Sequence, residues 1–206
     1  TAIEKRMDAH AANVTMNAAR SSSGRPTRMD SESSMTLAVS CRVVDIYLLR
    51  HAIAEEGPPA KDADRSITGE GRRKLRAVLE TAFHNAAVSP ALIVTSPYRR
   101  AVQTAEMAAE IFEYQGDILR TKTLLPGASP ADVWEEIRLH KDVDSMLLCG
   151  HDPLFTALTG YLLGCASLQV DFKKATLIRV FVDRFAPEPR GVLKWMLTAK
   201  LCREGR

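Results

Sequence analysis

The sequence lacks the marks of several common protein classes. Its 206 residues hold four cysteines, Cys41, Cys149, Cys165 and Cys202, and no two form a CxxC pair. That spacing argues against a zinc ribbon or a thioredoxin-type site and fits free thiols in a reducing compartment. No apolar run reaches the ~18 residues of a membrane span. No basic block resembling a nucleic-acid-binding arm is present. A net charge of +3, from 28 Lys+Arg against 25 Asp+Glu, is too small to argue for nucleic acid. No internal repeat is visible. Neither a membrane nor a nucleic acid is therefore expected as a partner, and a cytoplasmic location is expected from the missing signals.

With 46% hydrophobic and 26% charged residues, the chain suits one globular domain with a substantial core. Residues 1–41 are read as a poorly ordered extension. SSSGRPTR (Ser21 to Arg28) and DSESS (Asp30 to Ser34) cannot bury enough apolar surface to offset the entropy of ordering. The extension lacks the apolar stretch of a secretory signal. Its alanines, serines and arginines loosely resemble an organelle transit peptide, but Glu4, Asp8, Asp30 and Glu32 stand against that reading. The domain is expected over residues 42–206.

Within that domain short apolar runs alternate with amphipathic ones. Val43 to Leu49, Ala91 to Thr95 and Ser145 to Cys149 read as buried strands, and Asp117 to Thr123 as a short one. Thr68 to Ala87 reads as a helix capped by Thr68, with Leu75, Val78, Leu79 and Phe83 at helical spacing. Further helices are expected from Pro97 to Gln115, from Ser129 to Lys141 and from Pro153 to Leu163, with Gly116 as a stop for the first of them. Ala175 to Val182 and Val192 to Thr198 read as closing strands that can pair as a hairpin. The expected fold is α/β: a three-layer sandwich with a mostly parallel, mixed central sheet and helices on both faces.

Three strands end in chemically loaded turns. The first ends in Arg50-His51, the second in Ser96-Pro97-Tyr98-Arg99-Arg100, and a later one in Gly150-His151-Asp152-Pro153. In open α/β sheets, ligands bind outside the carboxyl ends of the strands. Arg50, His51, one of Arg99 or Arg100, and His151 can therefore converge into an electropositive pocket. Arginine's planar fork suits phosphate oxygens, and helix starts beside the turns add N–H donors. Each piece also has a plain structural reading: a solvated strand end, surface arginines in a first helical turn, or Asp152 as a helix cap. The recurrence of a phosphate-compatible cation after three strands favours a phosphoryl ligand.

Other phosphate chemistries fit poorly. No GxxxxGK[ST] loop is present. A Cys-x5-Arg nucleophile is absent, since Phe155 and Asp171 stand at that spacing from Cys149 and Cys165. Asp62 and Asp64 lie in a polar loop and Asp152 is alone, which is too few strand-end carboxylates for a two-metal site. Zinc on His51 and His151 lacks an evident third ligand. No metal or cofactor is expected. Neutral imidazole remains as a competent nucleophile.

The residues resemble a known family. LLRHAIAE (Leu48 to Glu55) is similar to the RHG/RHA signature of the histidine phosphatase superfamily. SPYRRAVQTAE (Ser96 to Glu106) resembles its SPxxRAxQTA motif, LLCGHDP (Leu147 to Pro153) its VGHxP motif, and Arg65 to Gly71 its RPLTxxG segment. The four occur in family order, and the resemblance runs from about Val43 to Leu201. The RHAxAE form, the short length, the segment Leu124 to Gly127, Lys173-Lys174 and Trp195 are most similar to SixA-type phosphohistidine phosphatases. Ser66 and Ile67 depart from the usual Pro and Leu, and Asp152 from a frequent Glu.

The resemblance implies a nucleophilic His51 that is transiently phosphorylated. It implies phosphoryl binding by Arg50 and Arg100, with Arg100 preferred to Arg99 because it directly precedes Ala101. His151 would be the second pocket histidine. An ester substrate would need a general acid, and no confident candidate stands out. Glu135 and Glu136 lie on an expected helix facing solvent, and Glu55 and Glu56 border the nucleophile. The expected substrate is phosphohistidine in a protein. A small phosphate ester, or a non-catalytic phosphate-binding role, is the alternative.

Overall fold

The computed structural model describes residues 43–183 and 185–202. The expected extension, residues 1–41, lies outside the described residues. Strand β1 (Val44–Arg50) lies inside a six-stranded sheet. It pairs in parallel with β4 (Ser145–Gly150), which pairs in parallel with β2 (Leu92–Thr95), and β2 carries β3 (Ile118–Arg120) at the edge. On the other side of β1, β5 (Leu177–Val182) and β6 (Gly191–Leu197) run antiparallel as a pair, so the sheet is mixed.

Side chains of β1 alternate between two cores, as the pleat requires. Tyr47 and Leu49 join the cluster built on α1 (Gly69–Ala86) and α2 (Arg99–Ile111), with Leu75, Val78, Leu79 and Ala105. Ile46 and Leu48 join the opposite cluster on α3 (Pro130–Leu139) and α4 (Leu154–Leu162), with Trp134, Ile137 and Leu158. Helices thus cover both faces, as expected from the alternation of elements. Trp134 anchors α3: it is fully buried, stacks on Phe185 at 5.9 Å, and donates its indole N–H to Ala186 O at 3.0 Å.

Local chemistry sets most element ends. Thr68 caps α1 by accepting from Gly71 N–H at 3.0 Å, and Ser129 caps α3 by accepting from Asp132 N–H at 3.1 Å. Helix α2 is shorter at both ends than the sequence suggests. It starts at Arg99 rather than Pro97 because Ser96 to Tyr98 make their own turn, with Tyr98 N–H donating to Ser96 Oγ at 3.3 Å. It ends at Ile111 rather than near Gly116. Glu113 adopts a left-handed φ of 54° and Tyr114 N–H closes back onto Ala109 O at 2.9 Å, an end that needs no glycine. The short strand expected over Asp117 to Thr123 splits into β3 and a 3-10 turn, Lys122–Leu124, where Thr121 accepts from Thr123 N–H.

Candidate active site

The parallel strands β2, β4 and β1 are neighbours, so their carboxyl ends bring three turns together. The turns are also bonded to one another. His51 N–H donates to Gly150 O at 3.0 Å, and Ser96 N–H donates to Cys149 O at 2.9 Å. A Cβ on Gly150 would stand 2.8 Å from the Phe155 ring, so the turn before His151 fits only without a side chain there.

The sequence-predicted residues meet in this place. Arg100 Nε–H donates to His51 Nε2 at 3.2 Å, and the rings of His51 and His151 lie 5.0 Å apart. Arg50 immediately precedes His51, donates to Phe172 O, and lies 3.9 Å from an Asp152 carboxylate oxygen. Arg100 is buried whereas Arg99 is exposed, which separates the two arginines that the sequence left side by side.

His51 is held in one tautomer by its partners. Nδ1–H donates to its neighbour's carbonyl, Ala52 O, at 2.7 Å, which leaves Nε2 unprotonated to accept from Arg100. Burial pushes its pKa down to about 3. The charges of Arg100, Arg50 and Lys174 act the same way, and the Ala52 bond opposes them. His151 is also lowered to about 3, by burial first and then by His51, Arg100 and Arg50, with Asp62 opposing. Its Nε2 contacts Ser96 Oγ at 2.8 Å, and its Nδ1 is buried with no partner among the described residues. An orphaned nitrogen in this place is suited to a ligand. Both imidazoles are neutral at physiological pH, beside two permanent cations.

Several residues of the quoted motifs are positioning elements whose roles the sequence did not disclose. Thr104 Oγ1 accepts from Ala52 N–H at 3.1 Å and donates to Arg100 O at 2.7 Å, tying the loop after His51 to α2. Gln103 Oε1 accepts from Ile67 N–H at 2.8 Å. Gly71 lets the start of α1 rest on the same loop, where a Cβ would stand 2.3 Å from Ile53 O.

Asp62, which the sequence marks only as a loop carboxylate, belongs to the site. It sits in a 3-10 segment, Pro59–Asp64. Its Oδ2 accepts from Arg100 at 3.0 Å, its carbonyl accepts from the same arginine at 2.5 Å, and its Oδ1 is paired with Arg65. Partial burial opposes ionisation, but the hydrogen bonds and charges of Arg100 and Arg65 hold the carboxyl below its usual range. Of the other candidate acids, Glu56 is exposed and the remaining three have partners of their own. Glu135 pairs with Arg138 at 2.8 Å, Glu136 contacts Thr121 and His140, and exposed Glu55 accepts from Ser66 N–H. Among the described residues no group of three His, Cys, Asp or Glu side chains is placed to hold a metal ion. No helix among them is long and apolar enough to cross a membrane. Cys149, Cys165 and Cys202 are free thiols.

Comparisons with known proteins bear on the family and the fold. Residues 46–121 match the family model for the histidine phosphatase superfamily, branch 1. The fold is similar to that of the protein histidine phosphatase SixA complexed with tungstate, at TM-score 0.68 and 21% identity, covering 76% of this chain and 98% of that one. It is also similar to an assigned phosphohistidine phosphatase SixA from Agrobacterium tumefaciens, at TM-score 0.63 and 25% identity, covering 75% and 97%. A mycobacterial glucosyl-3-phosphoglycerate phosphatase aligns at TM-score 0.53 and 18% identity, covering 74% and 98%. No curated protein sequence matches the chain. Residues 46–121 are thus similar to the histidine phosphatase superfamily, and the likeness of fold to SixA structures extends over about three quarters of the chain.

Proposed function

We propose that the protein dephosphorylates phosphohistidine in a protein, through a covalent phosphoryl intermediate on His51 Nε2. The domain that does so is taken as residues 42–206, with residues 1–41 as an extension outside it. In the first step the Nε2 lone pair forms a P–N bond while the substrate P–N bond breaks. In the second, water attacks phosphorus, the bond to His51 breaks, and phosphate leaves. Arg50, Arg100 and His151 stabilise the charge on the equatorial oxygens, where positioning and electrostatics supply most of the rate in phosphoryl transfer. The bond from Nδ1–H to Ala52 O orients the ring and keeps Nε2 unprotonated, so that its lone pair can pass from the Arg100 N–H to phosphorus.

One observation carries the choice of substrate class: the carboxylate that reaches the site, Asp62, is held ionised between Arg100 and Arg65. It has no proton to give an alkoxide leaving group. Asp152 is similarly occupied, accepting from Thr156 Oγ1 at 2.6 Å and lying beside Arg50. A phosphohistidine makes a smaller demand. Its imidazole, protonated on the far nitrogen, departs neutral, and the exchange trades one P–N bond for another.

Phosphate release from a phosphohistidine-bearing protein tests this reading, with wild type and His51→Ala compared and a sugar phosphate run alongside. Turnover of the phosphohistidine alone, lost in the variant, is the expected result. Turnover of the sugar phosphate instead would move the assignment to a small-molecule phosphomonoesterase. Phosphate binding without turnover of either substrate would move it to a non-catalytic phosphate-binding domain.

A further inference from the structure

At the end of β1 lies a cavity of about 640 Å³ whose lining includes Arg50, Ile53, Lys74, Lys173, Lys174 and Lys200. The five cations come from four separate places in the chain: the end of β1, helix α1, the loop before β5 and the turn after β6. Three of them have carboxylates at hand. Lys74 pairs with Glu70 at 2.6 Å, Lys173 with Asp171 at 3.1 Å, and Arg50 lies 3.9 Å from Asp152. Lys174 and Lys200 are exposed and have no carboxylate partner among the described residues. Gathering uncompensated like charges around one concavity works against the compact state, so it gains nothing for the fold itself.

The cavity shares Arg50 with the candidate active site. Arg50 lines it and precedes His51, and the charge of Lys174 is one of those felt by the His51 ring. It is far larger than a phosphoryl group requires. No aromatic side chain lines it, so it offers no stacking platform for a nucleobase. Ile53 and the aliphatic stems of the lysines give it apolar wall, which suits a side chain with a methylene stem and an anionic tip.

We propose that this cavity is a specificity subsite that takes acidic side chains flanking the phosphohistidine of the substrate protein, with Lys174 and Lys200 as the pairing groups. The proposal rests on the phosphohistidine reading above. It makes the enzyme selective for phosphohistidines in acidic surroundings, and it places that selectivity outside the groups that do the chemistry.

The test uses two phosphohistidine peptides that differ only in carrying two Glu or two Gln beside the phosphorylated residue. Phosphoramidate, which has no flanks, is the control substrate. Wild type should show kcat/KM about tenfold higher on the Glu peptide, the scale of one to two partly screened ion pairs. Raised ionic strength should narrow the gap. Lys200→Glu should abolish or reverse the preference while leaving phosphoramidate turnover unchanged, and Lys200→Arg should retain it. Equal rates on the two peptides in wild type would overturn the proposal, as would an unaltered preference in Lys200→Glu. If wild type turns over neither the peptides nor phosphoramidate, the phosphohistidine reading fails and the subsite falls with it. That outcome differs plainly from equal rates.

Discussion

Arg100 Nε–H points at His51 Nε2 across 3.2 Å. A buried arginine is therefore bonded to the unprotonated nitrogen of a histidine whose other nitrogen is already committed to Ala52 O. That lone pair is the one the proposed mechanism uses, so an incoming phosphoryl group must displace this contact, and the freed guanidinium N–H then lies within reach of the phosphoryl oxygens. Arg100→Lys keeps the charge but loses the fork that spans His51 and Asp62. The expected effect is a fall in kcat/KM of roughly 100- to 1000-fold, the usual cost of losing one such donor. Steady-state kinetics check it, and a loss under fivefold would show that charge alone suffices.

Asp62 sets the position of Arg100 without being placed to touch the reacting atoms itself. Removing its charge with Asp62→Asn should lower kcat/KM by about 10- to 100-fold through misplacement of the guanidinium. Asp62→Glu should recover part of the loss. If the carboxylate only competes with substrate for Arg100, both substitutions would leave kcat/KM unchanged or raise it.

The two lowered histidines give the protein a defined response to acid. An ordinary histidine titrates near 6.5, whereas His51 and His151 lie near 3 when folded. Between those values the unfolded chain takes up protons that the folded protein excludes. The stability these groups contribute is therefore fully present above about 6.5 and is lost as pH falls toward 3. The slope is at most about 2.7 kcal/mol per pH unit for the pair. Urea unfolding at a series of pH values reads it directly. While the protein stays folded and free of substrate, the His51 ring resonances in an NMR titration should show no inflection near 6.5. A clear inflection there would place the His51 pKa in its ordinary range.

Gly71 tests the support beneath the site. Its position has no room for a Cβ, which would meet Ile53 O, a backbone atom that cannot swing away. Gly71→Ala should destabilise the fold by about 1–3 kcal/mol, typical of overpacking, and should lower kcat as the loop after His51 shifts. Thermal unfolding and kinetics measured together check both halves, and an unchanged Tm would show that the helix start yields freely.

Much of this was legible because it is local. The strand runs, the Thr68 and Ser129 caps and the strand-end placement of Arg50, His51 and His151 all follow from short-range patterns and one topological rule. Arg100 was legible over Arg99 only through the family motif, since periodicity does not say which of two adjacent arginines turns inward. The start of α2 is not legible because Pro97 is an ordinary helix opener, while here the Ser96 hydroxyl serves both Tyr98 N–H and His151. Asp62 left no trace, because its partner is supplied by tertiary packing and its loop has no hydrophobic period to mark it. Lys174 and Lys200 are likewise ordinary surface lysines until β5 and β6 bring them to one cavity.

The central claim is that His51 carries the phosphoryl group. Rapid mixing of the enzyme with a phosphohistidine protein, quenched in alkali and mapped by peptide mass, measures it most directly. The predicted result is a transient phosphoryl adduct on the His51 peptide, labile to acid, absent in His51→Ala, and decaying at the rate at which phosphate appears. Full turnover by His51→Ala with no adduct at any time would contradict it.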